Sequence, residues 1–357
     1  MEVARSNAPS RAHGIVLAGA YRGGPCVLDP LVPRPLLPVA EQPLITFGLR
    51  WMATGGLCDA TICANTEARP IGERLGNAAC GLALEYLEDW SPRGAAGCVR
   101  DAGARTDATN FVVADGTAVP VVALEDLLEA HRVSRAAVTV VVGAGRAGRL
   151  QPAGVYVFDR RAFRHIPEDG FQDIKEKLIP RLYAAGELVS TYMAGSLAPR
   201  VVDADTYLAL NHWVVERTSR LREAPDGFRN QGEAVLHDTA SVDPTARLVG
   251  PVLVGSGASV RAGATLVGPV VIGRATEVGC SAVVSRSVLW SECRVGSRSF
   301  VDRSMLADRS TVEPASAVVH AVRAEARRGR PRLADRSARA PWASIVAALK
   351  PPMPSQG

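Results

Sequence analysis

No run of apolar residues in this chain reaches the length that spans a bilayer, and residues 1–13 are polar, without the apolar stretch of a secretion signal ahead of Gly14. A soluble, cytoplasmic protein is therefore expected, with no membrane partner. The seven cysteines (Cys26, Cys58, Cys63, Cys80, Cys98, Cys280, Cys293) form no CxxC pair and no metal-ligand spacing. Reduced thiols are expected, and a structural zinc site is not. The six histidines (His13, His131, His165, His212, His237, His320) are scattered and suggest neither a triad nor a ligand set.

What is present fits a globular protein. The chain has 357 residues, 47% of them hydrophobic and 22% charged, too long for one ordinary core and suited to two domains. The net charge of +5 is unevenly spread. From Val319 onward, seven Arg and Lys350 against Glu325 and Asp335 give +6, which leaves the rest of the chain at −1. The basic character belongs to the C-terminal tail. No aromatic residue interleaves with those arginines, so nucleic acid is not the expected partner.

Along the chain, Gly14 to Ala20 read as a buried parallel strand ending in small residues. A Gly/Pro-rich loop runs to Pro38. Pro43 then opens a helix carrying Leu44, Ile45, Phe47, Leu49, Trp51 and Met52, stopped by Gly55 and Gly56. Further strands are expected over 60–64, 82–87, 110–114, 137–142 and 154–158, and helices over 121–132, 171–185 with a kink at Pro180, and 206–220. Strands alternating with helices imply an α/β domain: a Rossmann-like, mostly parallel sheet with helices on both faces.

After the polar, turn-rich segment 223–232 the pattern changes. Val242, Leu248, Val254, Val260, Leu266, Ile272, Val278 and Val284 recur every six residues, with small residues between them. Val295, Val301 and Ala307 keep the period after a slip of one residue near Trp290. This hexapeptide repeat predicts a parallel β-helix with three hexads per coil and room for about four coils. The expected division is a flexible N-terminus (1–13), an α/β domain (14–222), a linker (223–232), a β-helix (233–318) and an Arg/Pro-rich tail (319–357).

The segment Leu17 to Ile45 carries the most specific signal. Its glycine loop (Gly19, Ala20, Arg22, Gly23) and the run Pro33-Arg34-Pro35-Leu36-Leu37-Pro38-Val39, closing on Pro43-Leu44-Ile45, resemble without a gap the N-terminal signature of the sugar-1-phosphate nucleotidylyltransferases. Gly94-Ala95-Ala96-Gly97 is similar to that family's nucleotide-approaching turn, and Val112 to Asp115 to its metal-bearing strand end. Gly154 to Phe158, the helix from Asp173 to Leu182, and Asp205 to Asn211 match further family segments. The likeness covers residues 14–313, and by architecture the mannose-1-phosphate guanylyltransferases are nearest.

The resemblance implies a left-handed hand for the β-helix and an in-line displacement. A sugar-1-phosphate oxygen attacks the α-phosphorus of a nucleoside triphosphate, pyrophosphate leaves, and catalysis consists of positioning and charge neutralisation. It also implies nucleotide contacts from Leu17, Ala18, Gly19, Ala20, Gly23, Gly94, Ala95 and Gly97. Phosphate contacts would come from Arg22 and Arg34, a sugar-phosphate contact from Lys175, and a Mg2+ ligand from Asp115. A second copy or a partner protein could pack against the β-helix.

The chain departs from the family pattern in four places. The glycine loop has Ala20 and Arg22 where glycine is expected, and Gly24 where arginine is expected. The lysine of the proline-flanked motif is Arg34. The segment from Val142 to Gly154 lacks the sugar-binding lysine. The second metal aspartate falls on Arg200, with Asp203 one turn away. Each such electrostatic contact is commonly worth about two to three orders of magnitude in rate. Two functional expectations stand side by side: a nucleotidylyltransferase with weak or lost catalysis, and a non-catalytic sensor of a nucleotide-sugar. A hexapeptide-repeat acyltransferase is disfavoured, because such enzymes place a histidine on or beside a coil and none occurs between Val242 and Val312.

Overall fold

The computed structural model describes residues 12–19, 26–65, 68–88, 93–145, 148–221 and 224–324. Ala20, Arg22, Gly23 and most of the basic tail lie outside the described residues. The α/β domain runs β1 (Ala12–Leu17), a 3-10 turn (Arg34–Leu36), β2 (Pro38–Val39), β3 (Gln42–Pro43), α1 (Ile45–Thr54), β4 (Asp59–Ala64), α2 (Ala68–Leu75), β5 (Ala78–Ala79) and β6 (Leu82–Glu88). It continues through α3 (Gly94–Gly103), β7 (Asn110–Asp115), α4 (Leu124–Ser134), β8 (Val138–Ala144), β9 (Leu150–Asp159), a π-turn (Ile174–Leu178), α5 (Ile179–Ala184), β10 (Val189–Ser196) and α6 (Ala204–Leu221). One sheet has the order β10-β8-β9-β7-β1-β4-β6-β5. β7, β1, β4 and β6 are parallel, β10 is parallel to β8, and β9 runs antiparallel to both β7 and β8.

The continuous apolar runs of the central strands follow from coverage on both faces. Val16, Ile62, Val112, Val141 and Val157 face one layer with Ile45, Leu49 and Met52 of α1, Ile71 of α2, and Leu124 and Leu127 of α4. Their neighbours Ile15, Cys63, Phe111, Val113, Val140 and Phe158 face the other layer, with Val99 of α3 and Leu178 and Leu182 around α5. The period-two alternation thus distributes each strand between two cores.

Several expectations are corrected. The helix expected over 171–185 is a π-turn joined to α5, and Pro180 sits in the first turn of α5, where its missing N–H costs nothing. The side chain of Asp173 caps the start, accepting from the amides of Lys175 at 2.7 Å and Glu176 at 2.9 Å. Gly94 to Gly97 form the first turn of α3 rather than a free loop. The short helix α2 and the sheet-edge strand β10 are not predicted from the sequence: α2 buries only Ala68 and Ile71, and no residue of β10 is fully buried. The linker segment is partly strand: Phe228–Gln231 (β11) pairs antiparallel with Ala234–His237 (β12).

The repeat region is a parallel β-helix in which two faces carry five strands each, so it has five coils rather than about four. The inward aliphatics Val254, Val260, Leu266, Ile272, Val278, Val284, Val295 and Val301 are buried as the hexad pattern requires. Register shows where the period slips. Thr265 pairs with Val283, but Val283 pairs with Phe300 and Phe300 with Ala317, so later coils are one residue shorter. The loss occurs at the corner after Ser285. The buried Ser287 hydroxyl donates to the Ser285 carbonyl at 2.6 Å and accepts the Ser304 amide at 3.0 Å. The Ser304 hydroxyl repeats the pattern one coil on, donating to the Asp302 carbonyl at 2.8 Å and accepting the Ala321 amide at 3.1 Å.

One β-helix face also carries an outward apolar column, Leu253, Val271, Val288 and Met305. It packs on Tyr207, Leu210 and Val214 of α6 and on Leu37, Val39 and Leu44 of the N-terminal loop. That shared core fixes the segment after the glycine loop between the two domains.

Candidate functional site

The mouth of the sheet forms where parallel strands end. Leu17 at the end of β1 is in register with Cys63 of β4 on one side and Asp115 of β7 on the other. The Ala18 amide donates to the Cys63 carbonyl at 2.7 Å, and the Gly116 amide donates to the Leu17 carbonyl at 2.8 Å. Gly19 leaves the sheet beside Ala64 and Asn65, where a Cβ would lie 2.8 Å from the Asn65 amide nitrogen; only glycine fits. The Asn65 side chain donates to the Gly19 carbonyl at 2.8 Å and holds that backbone at the strand end. Asn65 was not singled out from sequence, although an asparagine closing a buried strand is a readable signal.

Leu17, Ala18, Gly19 and Asp115 are therefore brought together. One oxygen of Asp115 accepts from Thr117, 3.0 Å from its amide and 2.8 Å from its hydroxyl. The other is held by the Arg200 guanidinium. Gly154, with φ +79°, makes room for the pair: a Cβ there would lie 3.1 Å from the Asp115 Cβ and 3.3 Å from an Arg200 nitrogen. Asp203 is not recruited to the mouth. It caps α6, accepting from the Thr206 amide at 2.8 Å.

The remaining expected contact residues lie on other segments of the domain. Arg34 is 2% exposed and grips Asp29 with two bonds, Nε to Oδ1 at 2.6 Å and Nη2 to Oδ2 at 2.8 Å. The guanidinium beside Asp29 holds its carboxyl below the usual carboxylate range. Asp29 also accepts the Cys26 amide at 2.6 Å, so the three residues stitch the returning loop. Gly94, Ala95 and Gly97 open α3. The neighbouring Ala96 amide donates to the Gln172 carbonyl at 2.9 Å, and the Gln172 amide donates to Arg93 at 2.7 Å, so own-chain backbone already pairs with this turn. Lys175 is half-buried on the π-turn, and Lys177 donates to the Phe171 carbonyl at 2.7 Å.

Mg2+ or Ca2+ needs several convergent oxygen ligands. Here both Asp115 oxygens are engaged and the group facing them is itself a cation. Among the described residues no group of three or more His, Cys, Asp or Glu converges. The described residues around Asp115 do not fit a divalent cation. Among the same residues, no helix is long and apolar enough to cross a membrane.

A parallel α/β sheet with a glycine-led mouth, joined through α6 to a hexapeptide β-helix, is the arrangement that the resemblance to the sugar-1-phosphate nucleotidylyltransferases implies. Comparison with known proteins agrees. The GMPPB C-terminal domain family matches residues 248–326, which covers most of the β-helix. A mannose-1-phosphate guanylyltransferase from Mycobacterium tuberculosis is 26% identical over 253 residues, 63% of this chain and 70% of the relative. Both matches are to proteins of the sugar-1-phosphate nucleotidylyltransferase family and support that likeness.

Proposed function

We propose that the mouth bounded by Leu17–Gly19, Asn65, Asp115 and Arg200 receives a nucleoside triphosphate or nucleotide-sugar. The family reaction at this site joins a nucleoside triphosphate to a sugar-1-phosphate, gives the nucleotide-sugar and releases pyrophosphate. The mannose-1-phosphate/GTP pair is the first choice, by likeness to the mycobacterial relative. The observation that carries the reading is the junction of the Gly19 backbone with Asp115 at adjoining strand ends. Open α/β sheets bind ligands in the crevice beyond the carboxyl ends of their strands, and a glycine there lets phosphate approach the backbone.

A second reading is favoured by two specific contacts. Arg200 occupies Asp115, and Arg34 is paired with Asp29, so the residue expected to hold the metal and one expected at the phosphates are both engaged inside the protein. This supports slow or absent transfer and a role in sensing a nucleotide-sugar for a partner protein.

Pyrophosphate release from GTP and mannose-1-phosphate, measured beside GDP-mannose binding, separates the two. Turnover supports the enzyme. Binding without turnover supports the sensor. Failure to bind any nucleoside triphosphate or nucleotide-sugar removes both.

A further inference from the structure

We propose that Arg200 is a built-in counter-cation, so that phosphate recognition at this mouth does not depend on a divalent metal. The inference rests on the nucleotide-site reading above and adds how the charge is balanced.

Nucleotide phosphates bring negative charge to a site that already holds the Asp115 carboxylate. Bringing like charges together is unfavourable unless a cation stands between them. The cation present is Arg200, from the segment between β10 and α6. One of its Nη atoms bonds Asp115, while the guanidinium carries further N–H donors and 26% of the side chain is exposed. Gly154 leaves the space into which the guanidinium fits. Thr117 holds the opposite Asp115 oxygen, so the carboxylate is fixed from both sides and orients the guanidinium like a tether. A planar fork held this way matches two oxygens of one phosphate group, geometry that a lysine does not reproduce.

The test uses the full chain, with calorimetric titration of GTP and GDP-mannose in EDTA and again with excess magnesium. The expected result is a Kd that changes less than about threefold between the two conditions for at least one of these probes. Arg200→Ala should weaken binding in EDTA about tenfold or more, and Arg200→Lys should restore only part of it. Arg200→Asp should make any residual binding magnesium-dependent. Thermal melts of each variant check that it is folded, and the metal comparison on the unaltered chain stands whether or not the variants fold. Binding of the unaltered chain only in magnesium would overturn the proposal and leave the nucleotide site intact. Equal binding by folded Arg200→Ala would also overturn it. No binding of either probe under either condition would overturn the proposal, and failure with all other nucleotides would remove the underlying site as well.

Discussion

The indole N–H of Trp290 in the β-helix donates to the hydroxyl of Tyr207 in α6 across 2.7 Å, and that hydroxyl donates in turn to the carbonyl of Pro38. Tyr207 is fully buried, so one hydroxyl satisfies a donor from one domain and an acceptor from the other. Asn211, one turn along, accepts the Ala40 amide at 3.0 Å. Tyr207→Phe should strand two buried polar groups and cost about 1–3 kcal/mol in thermal or denaturant unfolding. Adding Trp290→Phe should cost less than the sum of the single changes, because both remove the same bond. Strict additivity would mean that the bond does not couple the domains.

Glu41 sits at the same junction, in a two-residue turn with Ala40 where both φ angles are positive. Burial pushes its carboxyl up to about 7, although the amides of Arg274 and Ser256 partly stabilise the charged form. A folded-state pKa above the unfolded value means stability that is full at low pH and is lost as pH rises through about 7. The loss is on the order of 1–3 kcal/mol, discounted for partial exposure. Glu41→Gln should stabilise the protein at pH 8 and leave it nearly unchanged near pH 4.5, read as melting temperature against pH. An unchanged pH profile would contradict this.

His131 acts in the opposite sense. It is 4% exposed, its Nδ1 lies 2.8 Å from the Thr139 hydroxyl, and burial pushes it down to about 4. Its contribution is present above the ordinary histidine range and is lost as pH falls from about 6.5 towards 4. His131→Gln should flatten the acid limb of the same stability curve.

The seryl corners of the β-helix give a prediction of local stability. Ser287→Ala removes the acceptor of the Ser304 amide and should cost about 1–3 kcal/mol, and Ser304→Ala should do the same to the Ala321 amide. Exposed Ser241→Ala should change little. Denaturant unfolding of the three variants makes the comparison.

Arg34 separates a scaffold role from a direct phosphate role. Arg34→Met leaves the partly exposed Asp29 and the Cys26 loop without their partner and should destabilise by about 1–3 kcal/mol. Asp29→Asn, which leaves the arginine in place, should also destabilise. If Arg34 served only the phosphates, Asp29→Asn would leave the melting temperature unchanged.

Much of this was readable in the sequence, for physical reasons. A strand covered on both faces must be apolar throughout, which made β1, β4 and β7 visible. A hexad whose aliphatics stack from coil to coil leaves a period that survives the slip after Ser285. The match from Leu17 to Ile45 marked the mouth because its glycines and prolines fix backbone geometry. What sequence left hidden depends on partners distant in the chain. Arg200 could be seen to replace an acidic residue, but not to turn onto Asp115. Arg34 kept the expected charge, yet Asp29 claims it. Glu41 looks like an ordinary turn residue until the β-helix closes over it. The edge strand β10 buries no residue fully, so its mixed sequence shows no clean apolar alternation.

The most direct measurement is amide hydrogen exchange on the full chain, with and without saturating GDP-mannose or GTP. Slowed exchange in peptides spanning residues 13–19, 60–65 and 110–117 is the predicted result. Protection confined to the β-helix, or no protection by any nucleotide or nucleotide-sugar tried, would contradict a ligand site at the mouth of the sheet.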